Sequence, residues 1–308
     1  MEFKQYQHIQ RVGTSSVEGL LKGKCYITPK IDGTNASIWL GEDGEVHCGS
    51  RKRDLTVGDD NAGFREWVNM HPNFKEYLVA HPTHRLYGEW LVPHTIKQYV
   101  DYAWRNFYVF DVTKDTGKID DNGDPIEEYL PYEDYFWRLQ AHNILYLEPL
   151  AIIENPTIEE LKEIMENNTF LMKEGEVGEG IVIKNYDFVN KYGRIVWGKM
   201  VRAEFIKKNG GKSKATKDKE GYGETETSIV NTYITEALID KEKAKIELEK
   251  GGWESKYIGQ LLGTIYHCLI EEEMWNILKK YKNPTINFKQ LQALTIAKIK
   301  ELKEDLFC

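Results

Sequence analysis

A lysine two residues before an Asp-Gly pair, with an asparagine five positions on, could do phosphorus chemistry: Lys30-Ile31-Asp32-Gly33-Thr34-Asn35. It lies between two β-rich segments, Tyr26-Ile27-Thr28-Pro29 and Ala36-Ser37-Ile38-Trp39-Leu40. A neutral amine held there can attack a phosphorus atom and become a covalent phosphoramidate. The same letters also fit a solvated lysine beside an Asp-Gly hairpin turn. Further charged residues recur on strand-like stretches. Glu89 lies in Arg85–Leu91, Glu179 and Lys184 bracket Gly180-Ile181-Val182-Ile183, and Lys199 lies in Arg194–Val201.

The elements that must position these side chains follow from periodicity. Cys25 to about Ser50 reads as strand, turn, strand, with a hairpin turn at Gly41-Glu42-Asp43-Gly44 and a basic close at Ser50-Arg51-Lys52-Arg53. Phe64–Leu78 has helical spacing, broken at His71-Pro72 and stopped by His81-Pro82. Phe107–Val112 is β-branched and aromatic, hence a buried strand, and the Asp- and Gly-rich stretch 114–125 predicts a surface turn. Short helices are predicted over Tyr132–His142 and Thr157–Asn168, the latter opened by a Thr157/Glu160 capping box. After Phe205 a Gly/Lys-rich stretch leads to three amphipathic patterns, Ser228–Lys250, Glu254–Lys280 and Asn287–Leu306. The expected organisation is therefore an α+β domain over residues 1–206, a basic linker over 207–224 and a small all-α domain over 225–308.

Bulk properties narrow the class. A chain of 308 residues with 41% hydrophobic and 29% charged content has material for one large domain or two ordinary ones. No apolar run approaches the ~20 residues a membrane span needs, and Met1–Gln5 begins no signal-peptide core. Cys25, Cys48, Cys268 and Cys308 have neither zinc nor disulfide-framework spacing, which fits a reducing cytoplasm. A net charge of −8 argues against a general nucleic-acid coat and leaves room only for a local basic surface, such as Lys207, Lys208 and Lys212 in the linker. His81 and His84 share no metal-ligand partner, His94 sits three residues before Lys97, and each is read as an exposed or satisfied histidine. Trp253, Tyr257, Tyr266 and Trp275 are read as core of the helical domain, stacking on bases being the alternative.

The order of these elements resembles the covalent nucleotidyltransferases, the ATP-dependent polynucleotide ligases and mRNA capping enzymes. It runs Lys-x-Asp-Gly, basic hairpin, Gly88-Glu89, Phe110-Asp111, Glu179-Gly180-Ile181-Val182-Ile183-Lys184 and a strand lysine. Within them it is most similar to the RNA ligase 2-type family. That resemblance implies an adenylyltransferase (ATP-grasp-like nucleotidyltransferase) domain of antiparallel sheets with helices, followed by a helical C-terminal domain. It implies ATP, Mg²⁺ or Mn²⁺, and RNA with 5′-phosphate and 3′-OH ends; nicked duplex, single strand and RNA–DNA hybrid all stay open. No membrane and no obligate protein partner are expected.

Residue by residue, the resemblance makes Lys30 the nucleophile, with Thr28, Asp32 and Gly33 around the nucleotide. Asn35 and Glu179 are implied at the metal, and Glu89 at the ribose hydroxyl or the metal. Arg53 or Arg51 would contact ribose or polynucleotide phosphate, Phe110 would stack on adenine, and Lys184 and Lys199 would reach the α-phosphate. Asp111, taken to point to the opposite face of its strand, is given no role. Lys30 must be neutral to attack, against an unperturbed pKa of ~10.4, and burial with neighbouring cations (metal, Lys199, Arg53) is expected to lower it. One departure is visible: the last strand carries Lys199-Met200-Val201 where the family has a Lys-x-Lys pair, so Arg202 or Lys207 is a candidate substitute. The rivals are a capping-type guanylyltransferase, which the absence of a recognisable OB-fold motif after residue 205 opposes, a DNA nick ligase, and an inactive nucleic-acid-binding homologue.

Overall fold

A computed structural model describes residues 1–93, 96–120, 123–202 and 224–307. The chain divides into two compact units, Met1–Gly211 and Lys212–Cys308. The first is built on two five-stranded sheets, in the orders β1-β10-β9-β2-β8 and β4-β3-β5-β6-β7. The first sheet consists of β1 (Gln10–Arg11), β2 (Lys24–Lys30), β8 (Ala151–Glu154), β9 (Gly180–Lys184) and β10 (Gly198–Val201). The second consists of β3 (Thr34–Leu40), β4 (Val46–Ser50), β5 (His84–Trp90), β6 (Phe107–Ile119) and β7 (Pro125–Tyr129). All named pairings are antiparallel except the short parallel contact of β1 with β10. With α1 (Phe64–Asn69), α2 (Pro72–Ala80), α3 (Tyr132–Ala141) and α4 (Ile158–Glu166) among the described residues of the same unit, the fold is α+β.

Two expected turns resolve differently. The Asp-Gly pair does not join a hairpin: β2 ends at Lys30 in one sheet, β3 begins at Thr34 in the other, and residues 31–33 cross between them. The stretch taken as a surface turn after Lys114 is mostly ladder, since β6 continues to Ile119 and returns through β7, with Ile119 opposite Pro125. The Asp and Gly residues weaken strand propensity without abolishing it, because cross-strand pairing overrides intrinsic preference.

Burial follows the sheets. Cys25, Ile27, Ile181, Ile183 and Met200 on one side of the first sheet pack with Leu161 and Met165 of α4. On its other side Val182 joins Tyr6, Tyr87 and Trp197, so this cluster draws from both sheets. The α4 helix opens as predicted, with the Thr157 hydroxyl accepting from the Glu160 N–H and the Glu160 carboxylate accepting from the Thr157 N–H.

The second unit holds α5 (Glu224–Tyr233), α6 (Glu236–Lys250), α7 (Ile258–Cys268), α8 (Met274–Lys280) and α9 (Phe288–Leu302) around a core that includes Ile239, Leu261, Ile265, Leu269, Ile277 and Leu291. The pattern predicted as one helix over Ser228–Lys250 breaks at Ile234-Thr235, where the Thr235 side chain accepts from the Leu238 N–H and restarts the helix. A π turn over Leu269–Glu273 joins α7 to α8. Trp253, Tyr257 and Tyr266 pack against the core as expected, whereas Trp275 is 57% exposed. The predicted linker, including Lys207, Lys208 and Lys212, lies outside the described residues. Among the described residues no helix is long and apolar enough to cross a membrane.

Thr157→Ala removes one half of the reciprocal cap on α4 and should destabilise the protein by about 1 kcal/mol, read as a lower urea midpoint.

Candidate active site

Sheet register decides which side chains meet. Lys30 stands opposite Gly180, and Thr28 opposite Val182, which has Lys199 on its other flank. Directly opposed residues share a side and alternate residues recur on it. Thr28, Lys30, Lys184 and Lys199 are therefore on one side of the first sheet, the side where Val182 packs with Tyr6 and Tyr87. Across from it, Asn35 on β3 opposes Glu89 on β5. Residues distant in sequence thus converge on the space between the two sheets.

Lys30 Nζ donates to Glu179 Oε2 at 2.5 Å, the side chains being 22% and 16% exposed. Burial pushes the lysine pKa down, but Glu179, Glu89 and Asp32 push it up by more, and the net direction is upward. This corrects the expected depression: without nucleotide or metal, Lys30 is a protonated cation held among carboxylates. Glu89 has the opposite problem. Its pKa is raised to about 7, chiefly by burial with Asp32 and Glu179 adding to it, and Lys30 and the Gly33 N–H, which donates to its Oε1 at 3.0 Å, only partly oppose the rise.

The crossing loop is fixed by its own polar groups. The Asp32 N–H donates to the Tyr99 hydroxyl at 2.8 Å and Asp32 Oδ2 accepts from the Ile96 N–H at 2.8 Å. Gly33 is required for space, since a Cβ there would lie 2.4 Å from the Trp90 carbonyl oxygen.

Lys184 is almost fully enclosed. Its ammonium donates to Asp111 Oδ1 at 2.8 Å and to the Phe110 carbonyl oxygen. Burial lowers its pKa and Asp111 only partly restores it, so the net direction is downward. Asp111 also accepts from the Tyr6 hydroxyl at 2.5 Å and from Trp197 Nε1 at 3.1 Å. Asp111 is thus the residue missed in the sequence, and its expected orientation is corrected. Strict alternation sends Phe110 and Asp111 to opposite faces, but the β5–β6 register shifts between Tyr87 and Gly88, leaving Phe110 as the extra residue of a bulge. Asp111 then opposes Tyr87, two residues before Glu89, and shares the inner face with both. Gly88 permits the bulge, because a Cβ there would lie 2.5 Å from the Tyr108 carbonyl oxygen. The signal available was a carboxylate in an otherwise apolar strand, which burial obliges to find a cation.

The other predicted residues divide. Phe110 is half-buried, 4.9 Å from the Tyr6 ring centre and 5.7 Å from Lys184 Nζ. Thr28 is buried, its hydroxyl donating to the Val182 carbonyl oxygen at 3.4 Å. Arg53 pairs with Asp59 at 3.1 Å, and Arg51 lies 3.2 Å from His8 Nδ1. Arg202 does not replace the missing strand lysine: its Nε bonds Glu166 of α4 at 3.1 Å, on the side of the sheet away from Lys199. Lys207, the other candidate, lies outside the described residues.

Glu89, Glu179 and Asn35 offer hard oxygen donors beside an excess of carboxylate, which suits Mg²⁺ or Mn²⁺ chemically. Among the described residues no three His, Cys, Asp or Glu side chains form a ready-made metal cage. Such donors suit a magnesium ion, which takes one or two carboxylates and completes its shell with water and substrate phosphates.

A family model described as RNA ligase matches residues 23–201. A search of curated proteins found no match. Similar solved structures include a Naegleria gruberi RNA ligase with PPi, at 18% identity and TM-score 0.49, covering 67% of this chain and 58% of that one. A mutant of the Naegleria gruberi ligase with AMP and Mn gives 18% identity and TM-score 0.47 over 66% and 57%. An archaeal ATP-dependent RNA ligase gives 13% identity and TM-score 0.48 over 97% and 74%.

Two outcomes test the electrostatics. Asp111→Asn leaves Lys184 buried without its counter-charge and should destabilise the protein by about 3–5 kcal/mol in urea unfolding. Glu89 keeps its proton in the folded state up to about pH 7, whereas the unfolded carboxyl loses it near 4.5. Its contribution to stability therefore falls as pH rises through that window, and Glu89→Gln should flatten the fall between about pH 5 and about pH 8, measured by urea midpoints.

Proposed function

We propose that this chain, which belongs to the RNA ligase family, is an ATP-dependent RNA ligase that joins 5′-phosphate and 3′-OH RNA ends through lysyl-AMP. The observation that carries the proposal is the register gathering Lys30, Lys184 and Lys199 on one side of a sheet, opposite Glu89 and Asn35. In the first step the Lys30 Nζ–Pα bond forms and the bond from Pα to the bridging oxygen breaks. Pyrophosphate leaves, and the amine proton passes to solvent. In the second the AMP moves from Lys30 to the RNA 5′-phosphate. In the third the 3′-OH displaces AMP and closes the phosphodiester.

The structural details fit these roles. Lys30 rests as a cation because carboxylates surround it. Glu89, Glu179 and Asn35 would hold Mg²⁺ or Mn²⁺, which would supply positive charge there. Glu179 and Glu89 are among the groups that hold the Lys30 pKa up, so countering their charge would favour the neutral amine. An ammonium has three donors, and Asp111 with the Phe110 carbonyl uses two of Lys184's, leaving one for an α-phosphate oxygen. Lys199, one strand over, adds charge to the same phosphate, where it offsets charge growing in the transition state. Phe110 offers its ring to adenine, and Arg53 and Arg51 offer cations to ribose or RNA phosphate. The helical unit and the 207–224 linker are assigned to RNA. The cytoplasm is the proposed compartment, in keeping with cysteines free at Cys25, Cys48 and Cys268.

Incubation with α-labelled ATP and Mg²⁺ should place label on the protein, GTP should not, and Lys30→Ala should lose the label entirely. Label from GTP would instead indicate guanylyltransfer, and label persisting in Lys30→Ala would overturn the assignment of the nucleophile. Sealing of nicked DNA far better than any RNA 3′-end would overturn the choice of substrate.

A further inference from the structure

We propose that α8 and the turn that follows it form a contact surface for single-stranded RNA, with Trp275 as a stacking platform and Lys279, Lys280 and Lys282 as phosphate contacts. The proposal rests on the RNA-joining function above but uses residues outside the catalytic unit.

Trp275 is the anomaly that points there. The helical unit draws Trp253, Tyr257 and Tyr266 against its core, yet leaves the indole of Trp275 57% exposed. Exposing so large an apolar ring forgoes a substantial burial gain. One helical turn on, Lys279 Nζ lies 5.5 Å from that ring's centre. Lys280 lies 5.7 Å from the Tyr233 ring and 5.2 Å from the Tyr281 ring, and the Tyr281 hydroxyl is fixed at 2.8 Å from the Ser228 hydroxyl. Lys282 follows at the helix end with a left-handed φ of 58°. From Met274 to Asn283 the sequence has these three lysines and no Asp or Glu. In a chain of net charge −8 this is a local reversal of sign.

Two simpler accounts cover only part of this. Lysines in the last turn complement the helix dipole, which explains the charge and leaves the exposed indole unexplained. In the acidic run before α8, Glu271 pairs with His267 at 3.1 Å and Glu273 accepts from Asn276 at 3.2 Å, partners other than the three lysines. An aromatic ring flanked by cations is what a flexible polyanion with flat bases recognises, and it needs no base-specific contact.

The test uses the full chain and a fluorescein-labelled single-stranded RNA of about 12 nucleotides, followed by anisotropy across a salt series. Trp275→Ala should weaken binding about 5- to 100-fold, whereas Trp275→Phe, which keeps a ring, should stay within about threefold. The triple variant K279A/K280A/K282A should reduce the slope of log affinity against log salt by ~2, since each single-strand phosphate contact contributes ~0.7. Trp275→Ala binding like the parent, an unchanged salt slope, or no RNA binding by the parent would each overturn the proposal. Labelling of Lys30 from ATP should be the same in all these proteins. Loss of that labelling in the parent, with the binding changes intact, would overturn the catalytic assignment and leave this surface standing.

Discussion

The steric constraint at Gly33 governs the rest of the catalytic unit. The chain passes from one sheet to the other in three residues, 31–33, and can do so only if the Gly33 backbone runs tight against the Trp90 carbonyl. That short crossing puts Lys30 at the end of β2 and Asn35 near the start of β3, so two sheets with separate hydrophobic faces share one polar seam. A longer connection would satisfy both sheets equally well and leave the lysine and the amide unrelated. Glu89 belongs to the same device, because its carboxylate accepts from the Gly33 N–H and faces Lys30 electrostatically.

Charge in that seam is deliberately unbalanced. Lys30 faces Glu179, Glu89 and Asp32, while Lys184 faces the single carboxylate Asp111. The two lysines consequently shift in opposite directions although both lose water. Burial alone lowers both; what separates them is how many carboxylates each sees. Lys30 is accordingly held in its protonated form, whereas Lys184 is held less firmly in its own.

Much of this was legible in the sequence because the informative residues sit at fixed spacing on elements with strong periodicity. Lys30, Glu89 and Lys184 could be named from their strands, Glu179 from its place just before β9, and the Thr157 cap from its box. What was not legible came from contacts between strands distant in the chain. The bulge at Phe110 is invisible to alternation, so Asp111 was placed on the wrong face. The raised Lys30 pKa arises from carboxylates supplied by β5, the loop before β9 and the crossing itself, and no local window contains all three. Trp275 looked like core because apolar spacing says which residues can be buried, not which ones the packing leaves out.

The π turn between α7 and α8 carries a further implication. A π turn closes i→i+5 hydrogen bonds and so accommodates one residue more than an α-helical turn without ending the helix. Leu269 opens it and Ile277 lies beyond it, and both are buried in the same core. The wide turn therefore lets α7 pass into α8 with no intervening loop while both helices keep apolar side chains on one core.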